Sequence, residues 1–382
     1  MKFGFFVMPA HRPSENPTLA FERDLQMVQA AEDLGYDEVW VGEHHTGGWE
    51  NIPAPDLFIS AAAQRTKRIR MGTGVINLPY HHPFHVAERM AFLDHLTYGR
   101  LMMGVGPGAL MSDIKLFGLT GDKLRPMMQE SLEIILRLLR ENGPVTYEGR
   151  YWTLKEMELQ VKPYQEPHMP IAVASSGRGV TVDMIARHGL LMLSGNFFGG
   201  VSGEMMGQQW EEMAKIAQAA GRPASRADWR VTTYVYVAET TRRAISEIDE
   251  GLKRQMLEYF FKLGSSRSRF EDYAGQPVDA ITAEQFMRKG NWIVGDPEEC
   301  IRQLEALHQA TGGFGVLLNV AGEWASRENW LKSMELFART VMPHFRGSTR
   351  SLQRSHQRLV DDSMAGLLPN PGGAGNVPPP RE

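Results

Sequence analysis

The chain has 382 residues, 42% of them hydrophobic, enough for one large barrel or two ordinary domains with a sizeable core. A formal net charge of −4 and a pI near 6.3 give no footing for nucleic acid or an anionic membrane as partner, and no apolar run approaches the roughly 20 residues of a membrane span. The single cysteine, Cys300, excludes an intramolecular disulfide and any multi-cysteine metal site, and no charged-then-apolar leader follows Met1, so a soluble cytoplasmic protein is expected.

Lys2 to Met8 reads as a buried strand by its length and aromatic content. Leu19 to Leu34 has helical apolar spacing at Leu25, Val28 and Ala31, and Gly35 stands where a left-handed C-cap is wanted. Tyr36 to Val41 is a second strand, running into Gly42-Glu43-His44-His45-Thr46-Gly47-Gly48-Trp49-Glu50. A helix from Pro55 to Arg65, a strand from Arg68 to Ile76, a helix from His85 to Leu96 and a strand from Arg100 to Val105 follow. Met128, Leu132, Ile135 and Leu139 make an apolar helical stripe, read as core.

Residues 143–168 change the rhythm: Val145 to Leu154 predicts a hairpin insertion with Glu148-Gly149 at its turn. Strands resume at Pro170–Ala174, Leu190–Leu193, Arg230–Val237 and Gly315–Val320, the last followed by a helical pattern from Arg327 to Val341. Eight strand–helix units predict an α/β fold, a (β/α)8 TIM barrel over residues 1–345. The polar stretch 256–291 is an insertion before the eighth strand, expected as a lid over the active-site face, against the alternative of a solvent-side excursion. Residues 346–382 read as a tail. Arg346, Arg350, Arg354 and Arg358 recur every four residues, as a short basic helix or a solvated face, and the Pro/Gly-rich composition from Met364 onward predicts disorder.

Two stretches carry candidate chemistry. Glu43-His44-His45 sits just past a strand end, where barrel active sites are built, and imidazole titrates near neutrality. A surface turn with two solvated histidines is the bland alternative. A metal centre is disfavoured, because adjacent histidines on an extended chain point opposite ways and no HxH, HExxH or cysteine set accompanies them, so no metal is assigned. Ala174-Ser175-Ser176-Gly177-Arg178-Gly179 fits a phosphate turn: small residues, hydroxyl donors and one guanidinium at the start of a helix. An ordinary serine-rich turn with a solvent-facing Arg178 is its alternative. Gly104-Val105-Gly106-Pro107-Gly108 is too short for a P-loop and is not a Rossmann fingerprint.

An ordered set of segments then resembles the bacterial luciferase family of flavin-dependent monooxygenases. It comprises Lys2-Phe3-Gly4-Phe5-Phe6, Leu34 to Trp40, Glu43-His44-His45, Met71-Gly72-Thr73-Gly74, Leu78-Pro79 through His82-Pro83, Leu93 to Arg100, and Val294-Gly295-Asp296-Pro297-Glu298-Glu299-Cys300. Glu43 to Glu50 together with Pro79 to His85 is most similar to the limonene monooxygenase branch. The resemblance implies a two-component monooxygenase. A separate NAD(P)H-dependent flavin reductase would supply reduced FMN, with FAD as the other flavin this branch allows. One oxygen atom of dioxygen would pass, through a flavin C4a-peroxide, to a small apolar substrate, a terpene-like alkene or a ketone, and the protein would be a homodimer. A deazaflavin-dependent dehydrogenase on the same fold is the alternative, and a non-catalytic flavin carrier a third.

Residue by residue, the resemblance implies His44 as the catalytic acid or base, turned toward the barrel mouth with His45 pointing away, and Glu43 as an anchor of flavin or backbone. Thr73, Gly74 and Val75 would lie behind the flavin, with Gly74–Val75 suspected to be cis. Gly106 stands where the luciferases carry a reactive cysteine and Pro107 where they carry a phosphate-binding arginine, so those side-chain roles are lost and the glycines would let the ring lie against backbone. Ala174, Ser175, Ser176 and Arg178 would hold the phosphate. Trp49, Phe197 and Phe198 are compatible with an apolar pocket.

Overall fold

The computed structural model describes residues 1–8, 10–175, 180–195, 201–263 and 267–368. In chain order the first half comprises β1 (Lys2–Val7), α1 (Pro17–Asp33), β2 (Glu38–Val41), α2 (Pro55–Arg65), β3 (Arg70–Thr73), β4 (Ile76–Asn77), α3 (Pro83–Leu96), β5 (Leu101–Gly106), α4 (Met111–Leu116), α5 (Gly121–Arg140), β6 (Val145–Glu148), β7 (Thr153–Met157), β8 (Ile171–Ala174) and α6 (Val180–His188). The second half comprises β9 (Leu191–Gly195), α7 (Gly203–Ala219), β10 (Trp229–Thr233), β11 (Val235–Val237), α8 (Thr241–Arg254), α9 (Ala283–Gly290), β12 (Ile293–Gly295), α10 (Pro297–Thr311), β13 (Val316–Ala321), α11 (Arg327–Leu336), α12 (Met342–Arg346) and α13 (Arg350–Met364).

Strands β1, β2, β3, β5, β8, β9, β10 and β13 pair in parallel in that order, and β13 returns to β1 with Lys2 opposite Val316 and Val7 opposite Ala321, so the barrel closes. Strand alternation sorts the side chains. In β1, Phe3, Phe5 and Val7 join the shell under the helices, while Phe6 joins the interior. Trp40 and Met102 likewise point inward while their strand neighbours Val39, Val41, Leu101 and Met103 point out. Helix boundaries follow local chemistry: Asn16 caps α1 by accepting from the Thr18 and Leu19 amides, and Asp296 caps α10 by accepting from the Glu299 amide.

The barrel interior is organised by Trp40. A Cβ on Gly72 would stand 2.4 Å from the Trp40 ring, and one on Gly104 would stand 2.0 Å from the Thr73 carbonyl and 3.1 Å from the same ring, so the indole occupies the space those glycines leave. Its Nε1 donates to Glu38 at 3.0 Å, and Glu38 pairs with Arg230 across the barrel at 2.9 Å, both residues buried.

Two predicted strands are interrupted. The stretch Arg68–Ile76 breaks into β3 and β4 at Gly74–Val75, whose peptide bond is cis. The stretch Arg230–Val237 divides at Tyr234. Beyond it the Val235 amide donates to the Asn319 side chain at 2.9 Å instead of to the barrel ladder, and β11 leaves the barrel to pair with β12. Within 143–168, β6 and β7 form an antiparallel hairpin, and the buried Glu130 carboxylate of α5 grips its turn by accepting from the Arg150, Tyr151 and Trp152 amides. Between β11 and β12 the described part of 256–291 contains a π-helical turn, Gln255–Phe260, and α9, knitted by Gln285 donating to the Phe270 carbonyl at 2.7 Å. The arginine row after Gly347 lies on the exposed helix α13, and residues 369–382 fall outside the described residues. No helix among the described residues is long and apolar enough to cross a membrane.

The buried Glu38–Arg230 pair makes a stability prediction. Arg230→Ala leaves the Glu38 carboxylate without its partner in the interior and is expected to cost about 3–5 kcal/mol, while the volume-matched double replacement Glu38→Gln with Arg230→Met recovers most of that loss. Urea unfolding measures both, and an Arg230→Ala protein as stable as the parent would contradict the assignment.

Candidate active site

The loop after β2 doubles back on itself. Gly47 and Gly48 adopt φ of 87° and 75°, the left-handed region that glycine enters without a Cβ penalty. The returning limb is fixed by His11 donating its amide to the Trp49 carbonyl at 2.9 Å and by His44 donating its amide to the Ile52 carbonyl at 3.1 Å. This reversal brings Glu50 face to face with His44.

Both nitrogens of the His44 ring meet buried carboxylates: Nε2 is 2.8 Å from Glu50 Oε2, and Nδ1 is 3.1 Å from Asp113 Oδ2. Asp113 arrives from α4, beyond the β5 turn, and also accepts from the His45 amide at 3.2 Å and from the Thr46 hydroxyl. Burial opposes a charge on His44, but the negative charge of Glu50 and the hydrogen bonds to Asp113 and Glu50 outweigh it and push the imidazole up from 6.5 to about 10. Burial likewise pushes Asp113 up, and the bonds from His44 and Thr46 more than offset that and hold its carboxyl below the usual range. At neutral pH the group is therefore an imidazolium between two carboxylates.

The neighbouring residues face the other way. Glu43 Oε1 lies 2.9 Å from His45 Nε2 and 2.9 Å from His81 Nε2, and its Oε2 accepts from the Asn77 amide at 3.2 Å. Burial raises the Glu43 carboxyl, but the two imidazoles and the Asn77 amide more than compensate and hold it low. His45 also packs its edge on Phe117, which stacks on Tyr80 at 4.4 Å. His44 and His45 therefore have different partners. His81, just before α3, completes a second cluster. The Glu43, His45 and His81 donor atoms lie within 4.8 Å of one another, a spacing a metal ion can bridge, as do those of His11, Glu15 and Glu323. In the first group both imidazoles already bond one carboxylate oxygen.

The strand-end residues assigned to a flavin are gathered on the same face of the barrel. Val75 and Ala174 are partly exposed there, and Gly42, Gly74 and Gly106 lie buried beside them, so four adjacent strand ends present backbone and small side chains. The glycines are set by packing: a Cβ on Gly74 would stand 2.8 Å from Phe6 and one on Gly106 2.5 Å from Val75. Thr73 is fully buried and its hydroxyl bridges to Gly104, donating to the carbonyl at 2.8 Å and accepting from the amide at 2.9 Å, so its side chain serves the barrel wall. Ser175 sits at the β8 end with its hydroxyl 3.0 Å from Thr181 of α6. Ser176, Arg178, Phe197 and Phe198 lie outside the described residues. The small residues at these strand ends, with Ser175 bonded to Thr181 of α6, are compatible in size and donor chemistry with a flavin.

Sequence reasoning missed Asp113 and His81, and gave Glu50 no role. Nothing in Met111-Ser112-Asp113 marks the aspartate, because its relation to His44 spans 69 positions. Glu50 had a signal in the Gly47-Gly48 pair, since two consecutive glycines license the reversal that brings it back to His44.

Comparison with known proteins agrees with this geometry. The family model for luciferase-like monooxygenases matches residues 1–313. The chain is 39% identical to 4-hydroxyprotoasukamycin monooxygenase of Streptomyces nodosus subsp. asukaensis over 96% of this chain and 98% of that one. It is 35% identical to limonene 1,2-monooxygenase of Rhodococcus erythropolis over 95% of this chain and 91% of that one. Among solved structures, the oxygenating constituent of 3,6-diketocamphane monooxygenase from Pseudomonas putida, a type II Baeyer-Villiger monooxygenase in complex with FMN, superposes with a TM-score of 0.78 at 26% identity, covering 90% of this chain and 98% of that one. A closed eight-stranded parallel barrel, a histidine-bearing loop at its mouth and relatives of this identity over nearly the whole length lead to one conclusion: the chain belongs to the luciferase-like monooxygenase family.

Proposed function

We propose that this monooxygenase is the oxygenase component of a two-component system. It takes reduced FMN from a separate NAD(P)H-dependent flavin reductase and transfers one atom of dioxygen to a small apolar substrate, a terpene-like alkene or a ketone. The observation that carries this reading is the His44 imidazole, clamped between the buried carboxylates of Glu50 and Asp113 beside strand ends of small residues. The relatives support the substrate class, since their names specify limonene and a diketocamphane, and the FMN complex of the latter favours FMN over FAD.

Reduced flavin, when bound, supplies the electrons that activate dioxygen. The chain's own residues do the rest. His44, protonated on both nitrogens, acts as a proton donor, and a role as base is blocked while both carboxylates hold it. Val75 and Ala174, flanked by Gly74 and Gly106, would hold the flavin ring, and Thr73 stiffens the barrel wall. Ser175 and the first turn of α6 take the phosphate end, and the part of Ser176 and Arg178 there rests on the family resemblance. Glu43 anchors backbone and imidazoles. The 256–291 segment is a lid that keeps water from the mouth: Tyr259 stacks on Trp49 with centroids 5.5 Å apart, coupling that segment to the histidine loop. Two copies pair through α2 and α3, which leave Leu57 and Phe92 exposed, and the enzyme works in the cytoplasm.

Replacing the donor tests the assignment. His44→Gln is expected to lower product formation by about 10²- to 10⁴-fold, with oxygen reduced instead to hydrogen peroxide, while FMN affinity changes only a few-fold. Incorporation of label from ¹⁸O₂ and peroxide release report the two outcomes, and an unchanged labelled product yield would remove His44 from this role.

Stability should carry the same signature. A histidine whose pKa is raised by folding contributes its stabilisation in full below 6.5 and loses it as pH climbs toward the folded value, about 10 for His44 and about 9 for the buried His11. The melting temperature is therefore expected to fall between pH 7 and pH 10, with a shallower slope in His44→Gln and in His11→Gln. A parent protein equally stable at both pH values would contradict the charged state of both imidazoles.

A further inference from the structure

The carboxylate that faces His44 has a second neighbour. Glu50 bonds the His44 ring through Oε2 at 2.8 Å and is 3% exposed. The phenol of Tyr259, from the segment that follows α8, lies against the same carboxylate. Burial, then the Glu50 charge and a hydrogen bond to Glu50, push that phenol up, so it stays protonated and can donate. Trp49, the residue before Glu50, receives the Tyr259 ring, stacked with centroids 5.5 Å apart and planes 17° apart. The reversal of the loop meets the same segment, since a Cβ on Gly47 would stand 3.1 Å from Leu263 and 3.8 Å from Tyr259. The Gly47 turn, Trp49 and Glu50 therefore all rest on one turn of the 256–291 insertion.

That turn is fastened at its root. It is π-helical from Gln255 to Phe260, and single π-helical turns recur at functional sites. Gln255 Oε1 accepts from Trp324 Nε1 at 2.6 Å, which ties the start of the turn to the loop after β13. Tyr259 is 3% exposed, and its two parts have separate partners, the ring on Trp49 and the hydroxyl on Glu50. A side chain that only filled this space would need no hydroxyl, because a hydroxyl taken out of water costs free energy unless a partner receives it. Here the partner is a carboxylate of the site.

We propose that Tyr259 is a positioning residue for the proton donor: its hydroxyl and ring hold Glu50 and Trp49 in register with His44, so that the clamp on His44 is complete only while this turn of the insertion is docked on the histidine loop. The inference rests on the oxygenase reading above and adds the regulation of its site. Covering the mouth and aiming the donor become one event, because the same turn does both.

The test needs no turnover. On the full-length protein with ¹⁵N-labelled histidine, NMR at neutral pH follows the exchange of each His44 ring proton with water. Tyr259→Phe keeps the stacked ring and removes the hydroxyl alone. A hydrogen bond to a charged group is worth about 10- to 150-fold, so the substitution is expected to speed exchange at Nε2, which faces Glu50, about tenfold or more, and to change exchange at Nδ1, which faces Asp113, by less than about twofold. A tyrosine that only packs the insertion would loosen both nitrogens alike. Equal change at both nitrogens, or none at either, overturns the positioning role. Incorporation of ¹⁸O₂ into limonene or camphor by the parent protein judges the oxygenase reading separately. With incorporation present, Tyr259→Phe is expected to lower labelled product about tenfold, and an undiminished yield overturns the positioning role. Incorporation into neither compound, with the selective exchange intact, would sink the oxygenase reading and leave Tyr259 as the residue that holds Glu50 on His44.

Discussion

The fit of one indole into a bed of glycines sets the geometry of the mouth. Trp40 fills the barrel interior over Gly72 and Gly104, and its ring nitrogen is tied to Glu38, which is tied in turn to Arg230 on the far side. A side chain at either glycine would collide with the ring or with the neighbouring strand, so β2, β3 and β5 are locked together at the level just below the active face. Close packing of this kind resists small displacements. The loop that carries Glu43, His44 and His45 leaves β2 two residues after Trp40, and inherits its aim from that fixed point.

From there the alternation of an extended chain does the sorting. Odd positions send Glu43 and His45 to one cluster with His81 and Asn77, and the even position sends His44 to another with Glu50 and Asp113. The two clusters differ in kind. In the first, one carboxylate holds two imidazoles and a backbone amide, an arrangement that stiffens the loop. In the second, one imidazole sits between two carboxylates from different elements, which stabilises its charged form strongly enough to override burial. The proton donor proposed for oxygen transfer would need that state near neutral pH, and tertiary structure assembles the electrostatics that favour it.

The barrel was legible in sequence because its signals are local. Short apolar runs alternate with helical stripes, and Gly35, Pro55 and Pro297 punctuate helix ends. The breaks at Gly74–Val75 and Tyr234 were harder: both lie inside stretches that read as single strands, and what splits the second is a side chain, Asn319, from a strand 85 positions away from Tyr234. The site divides the same way. His44 could be found from its place at a strand end, whereas Asp113 and His81 reach the histidine loop only through the closing of the barrel. The sequence also assigned Thr73 to the flavin, but a threonine that bridges two strands looks the same in one dimension as one that faces a ligand.

The state of the His44 ring is the point on which the chemistry turns, and nitrogen NMR reads it directly. With ¹⁵N-labelled histidine and His44→Gln to assign the signals, the account predicts that both ring nitrogens of His44 stay protonated from pH 6 through pH 9. A His44 ring that loses a proton near pH 6.5 would show that Glu50 and Asp113 do not hold it charged, and would contradict its role as the proton donor of the site.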